Sequence, residues 1–490
     1  QRYDEALLSY DQAISIKPEF ADAYSNRGNA LEELQRYDEA LLSYDKAISI
    51  KPEFAEAYFN RSVILEELQR YDEALLSYDK AISIHPNYAE AYSNRGNTLK
   101  ELQRYDEALL SYDQAISIKP EFADAYSNRG NALEELQRYD EALLSYDQAI
   151  SIKPEFAEAY SNRGAILKEL QRYDEALLSY DKAISIKPGF AEAYSNRGAT
   201  LQALKRYDEA LLSCDQAISI NPNYAEAYSN RGIALYELQR YDEALLSYHN
   251  AISIKSDYAG AYWNLALCHL LLGNLKDGWQ GYEWRWKNKS IESFKSNRSF
   301  PQPLWLGAES LIGKTILLHA EQGLGDTIQF CRYIPLVAQL GANVILEVQR
   351  PLLKLLKGLE GVSQIVALGD ALPAFDYQCP LLSLPLAFKT ELHTIPPIAQ
   401  HITSDTDKVT KWQTKLGEKT KPRVGLVWSG SAGHKNDHNR SLALSQLLPH
   451  LPSNIEYVCL QKEIRAIDKE LLAQHTQIKY FGDALEDFTD

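Results

Sequence analysis

The sequence lacks methionine entirely and has only five cysteines in 490 residues. No two cysteines form a Cys-x-x-Cys pair, and their number is odd; they are Cys214, Cys268, Cys331, Cys379 and Cys459. Scattered cysteines of this kind argue against a disulfide framework and favour buried thiols in a reducing compartment. We therefore predict a cytoplasmic protein.

Long apolar runs are also missing. No uninterrupted apolar stretch reaches the roughly 18 residues that a membrane-spanning helix needs, so no contact with a membrane is predicted. The first residue, Gln1, stands inside a repeated motif. Because methionine is absent as well, we expect the chain to be a piece of a longer protein that is truncated at both ends.

Basic residues are scarce in the first part of the chain. Residues 1–300 carry 33 basic and 47 acidic side chains, whereas residues 301–490 carry 18 basic and 20 acidic ones. The net charge of the whole chain is −16. An acidic surface disfavours nucleic acid, which requires a basic footprint. It favours basic or neutral peptides as partners.

A 34-residue repeat occupies most of the first 292 residues. The motif Arg-Tyr-Asp-Glu-Ala-Leu-Leu-Ser begins at Arg2, Arg36, Arg70, Arg104, Arg138, Arg172, Arg206 and Arg240. Repetition at a fixed period of 20–50 residues is typical of solenoids, in which each unit buries its apolar face against the next.

Each repeat predicts two helices. In residues 21–54, small and apolar residues recur at helical spacing in both halves, and Pro52 ends the second helix. Gly28 lies inside the first helix, where glycine costs roughly 1 kcal/mol relative to alanine. We therefore expect a side chain of the second helix, Tyr44, to occupy the space above Gly28.

The repeat resembles the tetratricopeptide-repeat (TPR) family over residues 1–292, as one half repeat, seven regular repeats and one degenerate unit. The resemblance implies an α-solenoid in which the first helix of each hairpin lines a concave groove that binds protein or peptide. The implied lining residues are Ser25, Asn26, Glu32, Glu33 and their equivalents. Arg27 and its copies are expected to form salt bridges with nearby acidic residues.

An asparagine recurs once in every repeat, at Asn26, Asn60, Asn94, Asn128, Asn162, Asn196, Asn230 and Asn264. An amide offers both a donor and an acceptor, so a column of amides can bind an extended peptide backbone of any sequence. This column is similar to the asparagine ladder of the O-linked N-acetylglucosamine transferase solenoid. The alternative is that each asparagine forms hydrogen bonds only within its own hairpin.

The composition changes after the repeats. Residues 293–312 are predicted to be a linker, residues 313–418 a first Rossmann-like half, and residues 419–490 the start of a second, incomplete half. Short apolar runs at 314–319, 343–349 and 364–368 alternate with amphipathic segments. This alternation predicts a partial α/β domain with a doubly wound sheet.

The first α/β loop is similar to the corresponding loop of heptosyltransferase-like glycosyltransferases, which have the GT-B fold. It contains Gly323, Gly325 and Asp326 after a predicted strand. The resemblance implies that the glycines approach a nucleotide and that Asp326 takes the proton from an acceptor hydroxyl. The alternative is that Asp326 caps the following helix. His319 and Glu321 are reserve candidates for the base.

A second loop follows the predicted strand 423–428. By resemblance to GT-B enzymes and to O-linked N-acetylglucosamine transferase, this region would bind the nucleotide diphosphate through Gly430, Lys435, Arg440, Gln461 and Lys462, with Ser441 as a weaker candidate. Backbone amides and cations can stabilise a leaving diphosphate without a metal. No metal ion or cofactor is therefore expected.

Two functions remain open at this point. The first is an inverting, metal-independent glycosyltransferase that moves a sugar from a nucleotide sugar to a protein presented by the solenoid. The second is a non-catalytic scaffold for protein–protein interaction with a degenerate or structural α/β domain. Because the second half is incomplete at residue 490, this piece itself is expected to be inactive.

Overall fold

A computed structural model of the chain describes residues 2–288, 300–397, 402, 405–430, 437 and 440–485. The chain divides into two compact units, Gln1–Ala261 and Tyr262–Asp490. Among the residues described, no helix combines the length and the apolar character that crossing a membrane requires.

The first unit, Gln1–Ala261, is an array of helical hairpins, as the repeat predicts, and is hereafter the helical unit. Each regular repeat contributes a helix of 13 residues and a helix of 14 residues. The helices are α1 Arg2–Ile16, α2 Ala21–Glu33, α3 Tyr37–Ile50, α4 Ala55–Glu67, α5 Tyr71–Ile84, α6 Ala89–Glu101, α7 Tyr105–Ile118, α8 Ala123–Glu135, α9 Tyr139–Ile152, α10 Ala157–Glu169, α11 Tyr173–Ile186, α12 Ala191–Ala203, α13 Tyr207–Ile220, α14 Ala225–Glu237 and α15 Tyr241–Ile254. Two more helices follow, α16 Ala259–Leu271 and α17 Leu275–Tyr282.

A glycine and a tyrosine pack tightly inside five of the seven regular hairpins; Ser62 replaces the glycine in residues 55–88, and Cys214 replaces the tyrosine in residues 191–224. A Cβ atom added to Gly130 on α8 would lie 2.6 Å from Cε1 of Tyr146 on α9, and Tyr146 is fully buried. The same contact recurs between Gly28 and Tyr44, which confirms the packing expected from the sequence. In a hairpin packed in this way, a β-carbon on the glycine would overlap the ring unless the tyrosine moved.

The turn inside each hairpin contains a left-handed residue. Gln137 has φ 58°, and the N–H of Arg138 donates to the carbonyl of Leu133 at 2.8 Å. This is the hydrogen-bond pattern of a Schellman motif, which usually has glycine at the left-handed position. The same conformation recurs at Gln35, Gln69, Gln103, Gln171, Lys205 and Gln239.

Arginines connect successive hairpins. Arg129 on α8 donates from Nε to Asp113 on α7 at 2.7 Å and from Nη1 to Ser145 on α9 at 2.7 Å. The prediction that these arginines form salt bridges is therefore confirmed. The same pair of bonds is made by Arg27, Arg61, Arg95, Arg163, Arg197 and Arg231.

The second unit contains two parallel sheets. The first sheet has the order β3-β2-β1-β4. Its strands are β1 Thr315–His319, β2 Asn343–Val348, β3 Val362–Ala367 and β4 Tyr377–Pro380. The second sheet has the order β5-β6-β7, with β5 Arg423–Leu426, β6 Glu456–Cys459 and β7 Ile478–Tyr480.

Short helices surround these strands. They are α18 Leu324–Phe330, α19 Ile334–Gln339, α20 Leu353–Leu356, α21 Leu384–Ala387, α22 Thr406–Leu416, α23 Leu444–Leu447 and α24 Ala466–Gln474. Within the segment suggested as a linker, Trp305 is 1% exposed, and its backbone N–H donates to the carbonyl of Gln378 on β4 at 2.9 Å. Residues just before β1 thus pack on the first sheet.

We predict that Gly130→Ala destabilises the helical unit. The new methyl group would overlap the Tyr146 ring, and overpacking of this kind costs about 1–3 kcal/mol. Gly189→Ala is the control, because a Cβ atom there would meet nothing within 4 Å. Thermal unfolding followed by circular dichroism measures both variants. A Gly130→Ala variant as stable as the parent would contradict the packing described.

We also predict that Gln137→Gly stabilises the helical unit by about 1 kcal/mol, because glycine adopts the left-handed conformation without steric cost. Gln148→Gly, at an exposed position inside α9, should lower the free energy of unfolding by about the same amount. Urea unfolding should therefore show a higher free energy of unfolding for Gln137→Gly and a lower one for Gln148→Gly. Changes of the same sign in the two variants would refute the prediction.

Candidate functional site

The first helices of the middle repeats line a groove in the helical unit. On α8, Asp124, Asn128, Asn131 and Glu135 are spaced as one helical face, and each is exposed or half-buried. A groove of about 540 Å³ lies along this face of the middle repeats. Its lining residues are Lys100, Glu101, Gln103, Tyr105, Asn131, Glu134, Glu135, Asn162, Ala165 and Glu192.

The expectation that Ser25 and its equivalents line the groove is wrong. Ser25 is 3% exposed and Ser127 is 4% exposed, because these positions face the neighbouring helices. The position of Asn29 and Asn131 lines the groove in their place, and sequence reasoning missed it. It holds Val63 and Ala165 in other repeats, so no single residue type marks it along the chain.

The asparagine column takes part in hydrogen bonds between repeats. Asn60 donates from Nδ2 to Oδ1 of Asn29 at 3.0 Å, and Asn162 donates in the same way to Asn131 at 2.9 Å. Oδ1 of Asn131 also accepts the hydroxyl of Tyr146 at 2.7 Å. Asn60 and Asn162 each use one N–H in these bonds, and each side-chain amide also has a second N–H and a carbonyl oxygen.

Asn162 is the member of the column among the lining residues given above, and the remaining members occupy the equivalent position in their own repeats. Asn26 is exposed, and Asn94, Asn128, Asn196, Asn230 and Asn264 are half-buried. Asn230 donates to the hydroxyl of Ser195 at 3.1 Å, again in the preceding repeat. Asn264 lies on α16 in the second unit. Peptide binding by this column stays a prediction.

Carboxylates stand beside the amides. Glu32, Glu66 and Glu134 occupy equivalent positions, and burial raises the pKa of all three. At Glu134 the charge of the adjacent Glu135 raises the pKa further. A cation bound in the groove would therefore offset an existing cost of keeping these carboxylates ionised.

The charge of the groove varies along the array. Two adjacent glutamates occur at the end of the first helix in three repeats, as Glu32-Glu33, Glu66-Glu67 and Glu134-Glu135. In two others a lysine replaces the first glutamate and lies near the second, at 3.7 Å between Lys100 and Glu101 and 3.4 Å between Lys168 and Glu169. Adjacent glutamates thus occur in the first, second and fourth repeats, and in the fourth the charge of Lys168 partly offsets that of Glu134.

In the first α/β loop, Asp326 caps α18. Its Oδ2 accepts the N–H of Gly323 at 3.0 Å, which is the helix-capping geometry expected under the alternative interpretation. Asp326 is half-buried, and a Cβ atom on Gly325 would meet nothing within 4 Å. The loop after β1 therefore has open space on one side, and a catalytic role of Asp326 stays a prediction.

The two reserve candidates for the base are engaged elsewhere. The carboxylate of Glu321 is 4% exposed and pairs with Arg285 through Nε–Oε2 and Nη2–Oε1 distances of 3.1 Å each. Nε2 of His319 lies 3.0 Å from Oε1 of Gln378 on β4. Arg285 was missed by sequence reasoning, since nothing in the local pattern indicates so distant a partner.

The predicted phosphate loop is held by its own side chains. The N–H of Gly430 donates to the hydroxyl of Ser441 at 2.9 Å. Gln461 is buried, and its Oε1 accepts the N–H groups of Trp428 at 2.8 Å and Ser429 at 3.1 Å. Gln461 thus joins the ends of β5 and β6, and its contact with a nucleotide stays a prediction.

Two of the predicted cations, Arg440 and Lys462, are exposed near this loop. Lys435 lies outside the described residues, so its position is not given. In the portion of the chain that the structure covers, no group of three or more His, Cys, Asp and Glu side chains has the arrangement of a metal site.

Family comparisons match the repeats. A TPR-repeat family matches residues 1–35, 64–103, 96–137, 130–171 and 234–273. Two tetratricopeptide-repeat families match residues 21–54, 157–190 and 191–224, and residues 43–75 and 213–245. Together these matches run without a gap from residue 1 to residue 273.

Individual proteins also show similarity. Protein FlbA of Caulobacter vibrioides is 27% identical in an alignment of 179 residues, and the match covers 32% of this chain and 29% of FlbA. The chain thus spans less than a third of that relative. The crystal structure of YrrB, described as a TPR protein with an unusual peptide-binding site, is 27% identical with a TM-score of 0.32 and covers 38% of this chain and 95% of YrrB. MamA is 25% identical with a TM-score of 0.31 over 33% of this chain and 94% of MamA.

The repeat spacing, the paired helices of 13 and 14 residues and the family matches all concern the same part of the chain. The second unit is an α/β region with two parallel sheets. Residues 1–273 of this chain belong to the tetratricopeptide-repeat family.

Proposed function

We propose that the helical unit binds an extended, basic peptide segment in the groove lined by its first helices. The observation that carries this proposal is an asparagine amide beside an excess of glutamates: Asn162, Glu134 and Glu135 line the groove, together with Glu101, Glu192 and Lys100. The amides can bind any peptide backbone, whereas the carboxylates select basic side chains.

The charge distribution supports a basic partner. Glu134 and Glu135 line the groove, and burial of Glu134 makes its charge more costly than that of a fully hydrated carboxylate. An arginine or lysine of the peptide would lower that cost while forming an ion pair. The same reasoning applies to Glu66, whose Oε2 accepts the hydroxyl of Tyr78 at 2.8 Å.

We predict that a fluorescent peptide rich in lysine and arginine binds the chain more tightly than the same peptide with glutamate in place of the basic residues. Glu134→Gln combined with Glu135→Gln should weaken binding of the basic peptide by about tenfold, or about 1.4 kcal/mol. Glu141→Gln is the matched control, because Glu141 lies on α9 and pairs with Arg138 instead of lining the groove. Fluorescence anisotropy measures all three affinities.

The same titrations repeated at lower pH test the role of the buried carboxylates. Because burial raises the pKa of Glu134, this group becomes neutral at a higher pH than an exposed glutamate. Affinity for the basic peptide should therefore fall as the pH is lowered, and the fall should be smaller in the double glutamine variant. Equal affinity for basic and acidic peptides would overturn the basic preference, and no binding of either would overturn peptide capture in the groove.

A second candidate function is sugar transfer to a protein bound by the helical unit. It is supported by the resemblance of the loop containing Gly323, Gly325 and Asp326 to glycosyltransferases of the GT-B fold, and by the place of that loop at the carboxyl end of a parallel strand. Ligands of parallel α/β sheets bind at that edge. The non-catalytic scaffold is the rival, and peptide binding is common to both.

The test is turnover of UDP-, ADP- and GDP-sugars by this chain and by longer proteins that contain it. If the transfer proposal holds, Asp326→Asn should abolish turnover. Asp376→Asn should retain it, because Asp376 bonds to the N–H of Thr315 at the opposite end of β1. Turnover that survives in Asp326→Asn would exclude this base, and the absence of both turnover and nucleotide binding would favour the scaffold.

A further inference from the structure

Arg285 is a fully buried arginine with a complete set of hydrogen-bond partners. It lies in the short turn Glu283–Trp286 that follows α17. Nη1 contacts the carboxylate of Glu283 at 2.7 Å and the carbonyl of Tyr282 at 3.2 Å, and Nη2 donates to the hydroxyl of Ser383 at 2.7 Å. With the two bonds to Glu321, all five guanidinium N–H groups have acceptors.

Two aromatic rings flank the guanidinium. Its carbon lies 4.7 Å from the ring centre of Tyr282 and 4.4 Å from that of Trp286. Aromatic faces attract cations most strongly where water is excluded. The site around Arg285 therefore matches a planar guanidinium in charge, in hydrogen bonds and in its flanking surfaces.

The acceptors come from two adjacent strands of the first sheet. Glu321 follows β1 and Ser383 follows β4, and the N–H of Leu382 donates to Oε1 of Glu321 at 3.2 Å. In the order β3-β2-β1-β4, the chain reverses direction across the sheet between β1 and β4. Parallel α/β sheets bind their ligands at this switch point, outside the carboxyl ends of the strands.

The segment around Arg285 covers the same crevice by a further bond, from Nε2 of Gln322 to the hydroxyl of Tyr282 at 2.8 Å. The crevice holds two carboxylates, those of Glu283 and Glu321, against one guanidinium. Buried carboxylates without a cation are strongly unfavourable, and an anionic phosphate would be repelled by them. The occupant that this crevice fits is thus a guanidinium cation.

We propose that the switch-point crevice of the first sheet is a guanidinium socket, that its occupant is Arg285 of the same chain, and that this contact docks the segment Leu275–Trp286 on the sheet. The socket is formed by Glu321 and Ser383 of the sheet and is completed by Glu283 of the docked segment itself, and it is independent of the peptide groove. It closes this crevice to a nucleotide, so a nucleotide sugar used in the transfer reaction would bind elsewhere, as at the loops after β5 and β6.

The test is chemical rescue of Arg285→Ala in the full chain. Amide hydrogen exchange is measured in residues 282–286, 320–323 and 381–383, with methylguanidinium chloride or with an equal concentration of methylammonium chloride. Removing one partner of a buried ion pair should accelerate exchange in all three segments by about a hundredfold or more. Methylguanidinium should restore protection, and methylammonium should not, because it lacks the planar fork of donors.

Arg423→Ala is the matched control. Arg423 pairs with Glu456 on the second sheet, so its loss should leave the three segments protected. Unchanged exchange in residues 320–323 and 381–383 of Arg285→Ala would overturn the proposal, as would equal rescue by the two cations. Should Arg285→Ala fail to fold, Arg285→Lys replaces it. Faster exchange in residues 320–323 and 381–383 of this variant supports the socket, and unchanged exchange in both segments refutes it.

Discussion

The close contact between a glycine and a tyrosine sets the geometry of the helical unit. Gly130 and Tyr146 bring the two helices of a hairpin so near that a single β-carbon would not fit between them. Once this separation is fixed, Arg129 can reach Asp113 of the preceding hairpin and Ser145 of its own. Arg61 makes the equivalent bonds in the hairpin where Ser62 replaces the glycine, so the stacking of hairpins depends on the helix contact and the arginine bonds together.

Much of the helical unit could be predicted from the sequence because a 34-residue period repeats its constraints many times. The helices, the role of Tyr44 and the salt bridges of Arg27 follow from spacing and size. The groove was harder to predict, since Ser25 and Asn26 are neighbours and only burial distinguishes them. Asn131 was missed because the equivalent positions in other repeats hold different residue types, so no single residue type marks this surface in the sequence.

The α/β unit was predicted where strands are apolar, as in β1 and β2, and missed where they are not. β4 has only four residues, Tyr377–Pro380, and lacks an apolar run. Arg285 shows a different limit. Its partners Glu321 and Ser383 lie 36 and 98 residues away, so the meeting of these groups depends on strand order and on a chain reversal that no local pattern encodes.

The near identity of the repeats has a consequence for any extended ligand. A peptide that fits one set of groove positions fits the next set almost as well after a shift of one hairpin, so a uniform array would hold it in several overlapping alignments. Other residues replace the glutamates of the pair at Lys100, Lys168, Gln202, Ala203 and Tyr236. These substitutions make the alignments unequal in energy, and a ligand with unevenly spaced charges would settle in one of them.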